Sequence, residues 1–409
     1  MAQPEKPTRQ FTPSTRFFTS KRAAAVFKHA ILSGYVVPFA SKTGSASAGK
    51  RVVIVDGYAG PGRYDSREAG SPALIAAAAR RLPGRNVECL FVEKDPQLFE
   101  RLRAVLDEED DEQVILEAWP GTVEQHLDAV LVRARGVPLF LFLDPFGLGL
   151  PVDVIAGIFA RRPAGRFAPA TEVLFRFDAN AIRRIRGVLH AKDYPARAGQ
   201  IAALDRAAGG TWWRDEEDPS VDSTEYVTWF MTRLLEKVCG ETGCSGWIAQ
   251  VRQRELVQPA YYLVFLTRHR DGMEVFAEAL SLAEEKWRRA VFDEAAEEGQ
   301  ALGQLLLPYA EDFFRDEEQL LAEQWHTRLE DNVRSLLARE ASFVVREKLA
   351  DVFAGVLGMA REKHLRVALR RLHVAGLTSS DGKGDLYAKR VVRAGAQPTS
   401  AEGSPGRPR

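Results

Sequence analysis

Five short runs of almost wholly apolar residues constrain this chain more than any other feature of its sequence. They are 52–55 in RVVIVDGYAGPG, the run ending at Glu93 in VECLFVEKDP, QVILEAW, PLFLFLDPFG, and TEVLFRFD at 171–178. A strand with one face in water alternates polar and apolar residues, whereas strands this uniformly apolar are covered on both faces. Helical segments lie between them: an Ala-rich helix at 73–81 opened by the Ser71-Pro72 step, a helix from about Pro96 to Leu106, and a helical stretch at 121–134. This alternation predicts a doubly wound α/β domain of Rossmann-like type over 20–275. The largely helical stretch 181–245 and the strands WIAQVRQR and YYLVFLTRH complete or decorate it.

The rest of the chain changes character. Residues 1–19 are polar and Pro-bearing, and 393–409 form a Gly, Pro and Ser tail; both read as flexible ends. The stretch 276–339 is helical and acidic and reads as a packing or linker region. Residues 340–392 read as helix, helix, turn and a two-stranded ribbon with its tip at Ser379 to Gly384, a winged-helix-like unit. Its helix places Leu365, Ala368, Leu369 and Leu372 at i, i+3, i+4 and i+7, and carries Arg366, Arg370 and Arg371 away from that stripe. These arginines and Lys383 at the tip suit contact with nucleic acid; a docking module with solvated arginines fits the same pattern.

Composition excludes several classes. With 45% apolar and 27% charged residues, the chain of 409 residues is not disordered throughout. The 56 Lys and Arg balance 56 Asp and Glu, so total charge names no polyanionic partner. The balance hides a basic end, because residues 361–400 hold nine Lys or Arg against three acids. No uninterrupted run of about 20 apolar residues is present, which points to a cytoplasmic protein that does not cross a membrane. Cys89, Cys239 and Cys244 are too few for a disulfide scaffold, and no ligand set at metal spacing accompanies them, so no metal is expected.

Ligands of an open parallel sheet bind beyond the carboxyl ends of its strands. The first strand delivers Asp56, Gly57, Gly60 and Gly62, a turn that lets backbone approach a ligand closely; no Lys followed by Ser or Thr comes after it, so it is not a phosphate loop. The second ends in Glu93, where an acid takes the two hydroxyls of a ribose. A structural turn followed by a surface acid explains these two strands as well. The fourth ends in Asp144, Pro145 and Phe146: a carboxylate able to accept a hydrogen bond from an exocyclic amine, beside an aromatic face for a base. Alternatively, Asp144 caps the next helix and Phe146 is core. Asp56, Glu93 and Asp144 can also be drawn as the metal-binding acids of a nuclease, but each has a better place in a cofactor site. The arginines 176, 183, 184 and 186 suit a phosphate backbone or a solvated helix face equally.

VDGYAGPG, the Gly-Ser-Pro after it, FVEKDP, FLDPFG and FRFDANAIRR together resemble the three-Cys-motif partner proteins, bacterial proteins encoded beside a radical-enzyme-like partner that carries the three cysteines. More distantly, the block is similar to class I S-adenosylmethionine-dependent methyltransferases, especially those that act on adenine in nucleic acid. The resemblance implies S-adenosyl-L-methionine as cofactor, held at its amino-acid end by the turn from Asp56 to Gly62 and at its ribose by Glu93, with Asp144 on the target amine. It also aligns Lys28 and His29 with a Lys-His pair that lies over the active site in methyltransferases of ribosomal RNA, although an amphipathic helix with a solvated Lys explains VFKHAILSGY as well. Two departures stand out. Phe146 occupies the second proline position and Gly147 that of the stacking aromatic, and Glu117 and Trp119 replace a familiar Gly-Asp. Trp119 either covers the cofactor's adenine or packs in the core. The expected function is methyl transfer to an amine, adenine N6 in DNA or RNA. The alternative is a catalytically degenerate nucleic-acid-binding accessory protein that works with the three-Cys-motif partner in a mobile-element or defence system.

Overall fold

The computed structural model describes residues 23–109, 114–165, 167–191, 195–254, 257–301 and 310–395. The chain divides into two compact units, Met1–Met273 with Lys286–Val291, and Glu274–Glu285 with Phe292–Arg409. The expected flexible start, 1–19, and all but the first three residues of the tail expected at 393–409 lie outside the described residues.

The first unit runs α1 (Ala23–Ser45), β1 (Arg51–Asp56), α2 (Ser71–Arg80), β2 (Asn86–Glu93), α3 (Pro96–Glu108), β3 (Val114–Pro120), α4 (Val123–Arg133), β4 (Leu139–Leu143), α5 (Val152–Ala160) and β5 (Thr171–Asp178). It continues through α6 (Ala179–His190), α7 (Arg197–Ala208), α8 (Trp212–Asp215), α9 (Ser223–Thr242), β6 (Ser245–Val251), β7 (Tyr261–Thr267) and the start of α10 (Arg270–Ala301). The seven strands lie in the order β3-β2-β1-β4-β5-β7-β6, and β7 is antiparallel to both of its neighbours while β1 to β5 pair in parallel. This is a Rossmann-like sheet with an antiparallel extension at one edge.

Four of the five apolar runs form buried strands because helices cover both faces there; the exception is the run QVILEAW, which becomes the edge strand β3, with only Val114 buried and Ile115 47% exposed. All five residues of β4 and every residue of β2 after the first are buried. On one face, α4, α5 and α9 close a core around Leu139, Leu141, Ile155 and Phe230. The order in which strands are added reverses between β1 and β4, which are parallel neighbours paired Asp56↔Phe142, so the carboxyl ends of these two strands open side by side.

Helix α1 is long and apolar enough by length and composition to cross a membrane. Here it folds into the unit: Phe27, Ile31, Tyr35 and Phe39 are buried, and the Tyr35 ring lies 5.4 Å from that of Phe140 and 5.1 Å from that of Phe265.

The second unit contains the 274–285 segment of α10, then α11 (Ala310–Arg339), β8 (Ser342–Val344), α12 (Leu349–Val352), α13 (Glu362–Val374) and β9 (Arg390–Val392). Of the stretch expected as a packing or linker region, 276–339, residues 286–291 fall in the first unit and the remainder in this one, where Leu329, Val333 and Leu336 of α11 share one core with Leu365, Leu369 and Leu372 of α13. Three glutamates of α10 hold the segments after it: Glu274 takes Arg346 at 2.8 Å, Glu278 accepts from Tyr387 and from the Glu362 amide, and Glu285 pairs with Arg361. The expected ribbon is built differently. Strand β9 pairs with β8, and the segment before the turn contributes one bridge, Thr378↔Arg393, with Ser379 N donating to Val392 O at 3.1 Å.

Candidate functional site

A cavity of about 560 Å³ lies at the carboxyl ends of β1, β2 and β4, lined by the glycine turn 57–62, Glu93, Asp144, Pro145, Phe146 and Lys28. Its size and mixed lining are those of a small-molecule site. Each strand contributes its last residue or the loop after it, which is why residues far apart in sequence converge here.

Asp56 ends β1 fully buried beneath the turn. Its Oδ1 accepts from the Tyr58 amide at 3.1 Å, and its Oδ2 has no hydrogen-bond partner. Burial pushes its pKa up to about 7, against the opposing pull of the Ser71 hydroxyl, the Tyr58 amide and the Lys28 ammonium. Gly57 is required by contact: a Cβ there would lie 2.7 Å from Leu143 Cδ2. Gly60 and Gly62 are required by conformation, with φ of 63° and 79°.

Glu93 is buried and already tied to the turn. Its Oε2 accepts from the Gly60 amide and its Oε1 from the Asp95 amide, both at 2.8 Å. A carboxylate offers about four lone-pair sites, so each oxygen keeps one for a ligand hydroxyl. The same side chain therefore shapes the turn and faces the cavity, which removes the surface-acid alternative.

At the end of β4 the structure also decides between alternatives. Asp144 caps no helix, since α5 begins at Val152 with Pro151 at its N-cap. Phe146 is 44% exposed and lines the cavity, so it is not core. Lys28 is not solvated: its Nζ lies 2.5 Å from Asp144 Oδ2, and the two side chains are only 12% and 9% exposed. Burial opposes the charge on Lys28, but Asp144, with Tyr64 and Tyr261 beside it, outweighs that penalty and holds its pKa above the usual lysine range.

Two expectations move. Trp119 does not line the cavity; its Nε1 donates to Glu117 Oε2 at 3.0 Å and its ring lies 5.2 Å from that of His126, against the core on the α4 side. Among its described residues β3 gives the cavity no lining, and Gly121, Thr122 and Glu124 at the start of α4 line it instead. The sequence signal for them was Thr122 three residues before Gln125, a capping box that starts a helix directly after β3. The arginines after β5 do not form a phosphate-facing row: Arg186 is buried and paired with Glu217 at 2.8 Å, Arg183 donates to Pro259 O, and Arg184 is exposed.

Arg176, expected as one of four arginines for a phosphate backbone or a solvated face, instead faces Asp144 behind the cavity wall. Its Nη1 lies 3.6 Å from Asp144 Oδ1, its Nη2 donates to Asp178 Oδ2 at 3.2 Å, and its guanidinium sits 4.1 Å over the Tyr261 ring. A lone cation inside an otherwise apolar strand signals a buried partner, and that signal was present in TEVLFRFD.

In the second unit, Arg366 donates to Gly382 O at 2.7 Å and Gly384 O at 3.1 Å, and Arg371 pairs with Glu323 at 2.9 Å and Glu330 at 3.5 Å. Arg366 holds the turn and the exposed Arg371 pairs with α11, whereas Arg370 and Lys383 are exposed, the latter 3.8 Å from Asp381 within the turn. Among the described residues, no group of three or more His, Cys, Asp or Glu is placed to hold a metal ion.

No family profile and no curated protein matches the chain. Among solved structures, it is similar to M. jannaschii TYW2 in complex with AdoMet, at 10% identity over 57% of this chain and 75% of that one, with a TM-score of 0.24. It is also similar to the small RNA methyltransferase HEN1, at 14% identity over 57% of this chain and 25% of that one, with a TM-score of 0.30. Likeness at this level carries no residue roles from one chain to the other.

Proposed function

We propose that this protein binds S-adenosyl-L-methionine at the ends of β1 and β2 and transfers its methyl group to an amine held at the end of β4, with adenine N6 of DNA or RNA as the acceptor. The observation that carries this reading is the convergence of the glycine turn, Glu93, Asp144 and Phe146 on one cavity of a Rossmann-like sheet. The residues fit the cofactor: Asp56 Oδ2 is a buried acceptor with no donor, and Glu93 keeps lone pairs for ribose hydroxyls. When bound, the cofactor supplies an electrophilic methyl group. The protein's part is to orient. Asp144 Oδ1 is buried and accepts no hydrogen bond, so it can take an N–H of the acceptor and aim the nitrogen lone pair, while Phe146 offers its ring as a surface for the base.

Calorimetric titration with S-adenosylmethionine tests the cofactor assignment. Wild-type protein should bind, and Glu93→Ala should bind about tenfold to over a hundredfold more weakly, the worth of a charged hydrogen-bond pair of about 1.5 to 3 kcal/mol. No binding to wild type, or an unchanged affinity in Glu93→Ala, would overturn it.

A second reading, a degenerate domain that binds cofactor without transferring methyl and serves the three-Cys-motif partner, draws on one observation. Gly147, at φ 89° with open space around it, stands where the stacking aromatic would be. Binding without labelled methyl appearing in host DNA or RNA would favour it.

For the second unit, a winged-helix-like module contacting nucleic acid, Arg370 and Lys383 are the two of the four expected cations that are exposed and not tied to another element. Their joint replacement by Ala should weaken nucleic-acid binding in fluorescence anisotropy and reduce the slope of log affinity against log salt by about 0.9 for each phosphate left unneutralised. Arg366→Ala should lower the melting temperature instead, because it releases the turn at 382–384. Salt dependence unmoved by the double change would leave the module a protein-docking one.

A further inference from the structure

We propose that Lys28 and Arg176 form a charge filter around Asp144, which admits a neutral, conjugated amine and turns away an ammonium group. The inference rests on amine binding at the end of β4 and names which amines that site can take.

The four side chains concerned come from α1, the loop after β4, and β5, and all are largely shielded from solvent, at 9% to 16% exposure. Lys28 Nζ occupies Asp144 Oδ2 at 2.5 Å; Arg176 lies 3.6 Å from Oδ1 and 3.2 Å from Asp178. Two cations thus face two carboxylates, and the group is balanced before any ligand arrives. Asp56, the further acid that acts on this group, is buried under the glycine turn, and burial pushes its pKa up to about 7, so it supplies at most part of an additional charge at neutral pH.

The balance leaves one polar need. Asp144 Oδ1 is buried and accepts no hydrogen bond, so a donor is favoured there. A neutral amine conjugated to a ring or carbonyl supplies N–H groups without net charge, and its planar frame suits the half-exposed Phe146. An ammonium at the same oxygen would bring a third positive charge beside two fixed ones and lose its hydration, while Asp144 and Asp178 are already committed to those two. Neither cation can readily withdraw. Arg176 is stacked on Tyr261 and bonded to Asp178, and Lys28 is fixed on a buried helix. The filter thus requires no movement of the backbone, only the placement of two side chains on elements that the core already holds.

Matched probes test this. Benzamide and benzylamine place nitrogen at the same distance from a ring, but at pH 7.5 the first is neutral and the second is an ammonium. Binding is followed by fluorine NMR of full-length protein labelled with fluorophenylalanine, with the Phe146 signal assigned by Phe146→Leu. Wild-type protein should bind benzamide at least tenfold more tightly than benzylamine. In Arg176→Gln, and independently in Lys28→Gln, the ratio should fall below about threefold, chiefly because benzylamine gains; two variants guard against one that folds poorly. Equal binding of both probes to wild type, binding of neither, or an unchanged ratio in both variants would each overturn the filter. S-adenosylmethionine titrations on the same preparations separate the two claims: no cofactor binding with the probe ratio intact removes the methyltransferase reading and leaves the filter standing.

Discussion

Asp144→Ala is expected to lower the rate of methyl transfer by about a hundredfold to a thousandfold, the range seen when a preorganised polar group at a reacting centre is removed. Cofactor affinity should change by less than about threefold, since Asp144 faces the acceptor side. The same substitution strips the partner from Lys28 and weakens the setting of Arg176, both nearly buried. Breaking a buried ion pair from one side costs about 3 to 5 kcal/mol, a large part of a typical stability of about 5 to 15 kcal/mol. Activity must therefore be read beside a melting curve. Asp144→Asn keeps an acceptor oxygen at the same place and should fall between wild type and Ala in both measurements. The double change Lys28→Met with Asp144→Ala should be less destabilising than the sum of the two single changes, because it leaves no orphaned ammonium. Full transfer by a folded Asp144→Ala protein would remove the role assigned to it.

Stability should also fall as pH rises from about 5 to 8, opposite to the usual gain of a protein whose carboxylates are paired. Two buried acids cause this. Glu172 on β5 accepts from Tyr35 and, at 2.9 Å, from Thr267, yet burial outweighs both bonds and pushes its pKa up to about 7; Asp56 is pushed up to about 7 for the same reason. A folded-state pKa above the unfolded one means that the folded protein binds more protons. The stabilisation is then complete below about pH 4 and is lost as pH rises through 7. Each group can contribute roughly 3 to 4 kcal/mol at the upper limit, with relaxation of the surroundings reducing it. Melting curves of wild type and Glu172→Gln at pH 5 and pH 8 test the claim. The glutamine protein should lose less stability between the two, and parallel curves would show that Glu172 does not titrate in this window.

The apolar runs were enough to derive the central strands, because burial on both faces is a property that a strand displays in its own residues; QVILEAW shows the limit, being apolar yet placed at the sheet edge as β3. The acids at strand ends were legible for the same reason, since an acid after LFLFL or VECLFV marks where the apolar interior stops. The helix stripe of α13 was equally local, and Leu365, Ala368, Leu369 and Leu372 are all buried as the spacing required.

Partnership is where sequence stopped. Whether Lys28 is solvated or paired depends on Asp144, 116 positions away, and that separation is closed only when α1 packs on the sheet and β4 is placed beside β1. Arg176 looked like one of a row of arginines until β5 turned it toward Asp144 and Tyr261. Trp119 sits on β3, which among its described residues gives the cavity no lining; the loop and helix start after it do so instead, and the sheet order decides that. Arg366 and Arg371 looked free because the carbonyls and glutamates that take them lie on other elements. What the sequence determined by itself was therefore what depends on local periodicity: the strands, the helices, their buried faces and the ends at which a site can open. The tertiary structure alone decided the pairing of charges, because a buried ion pair is specified by distance in space, and no single stretch of chain carries that information.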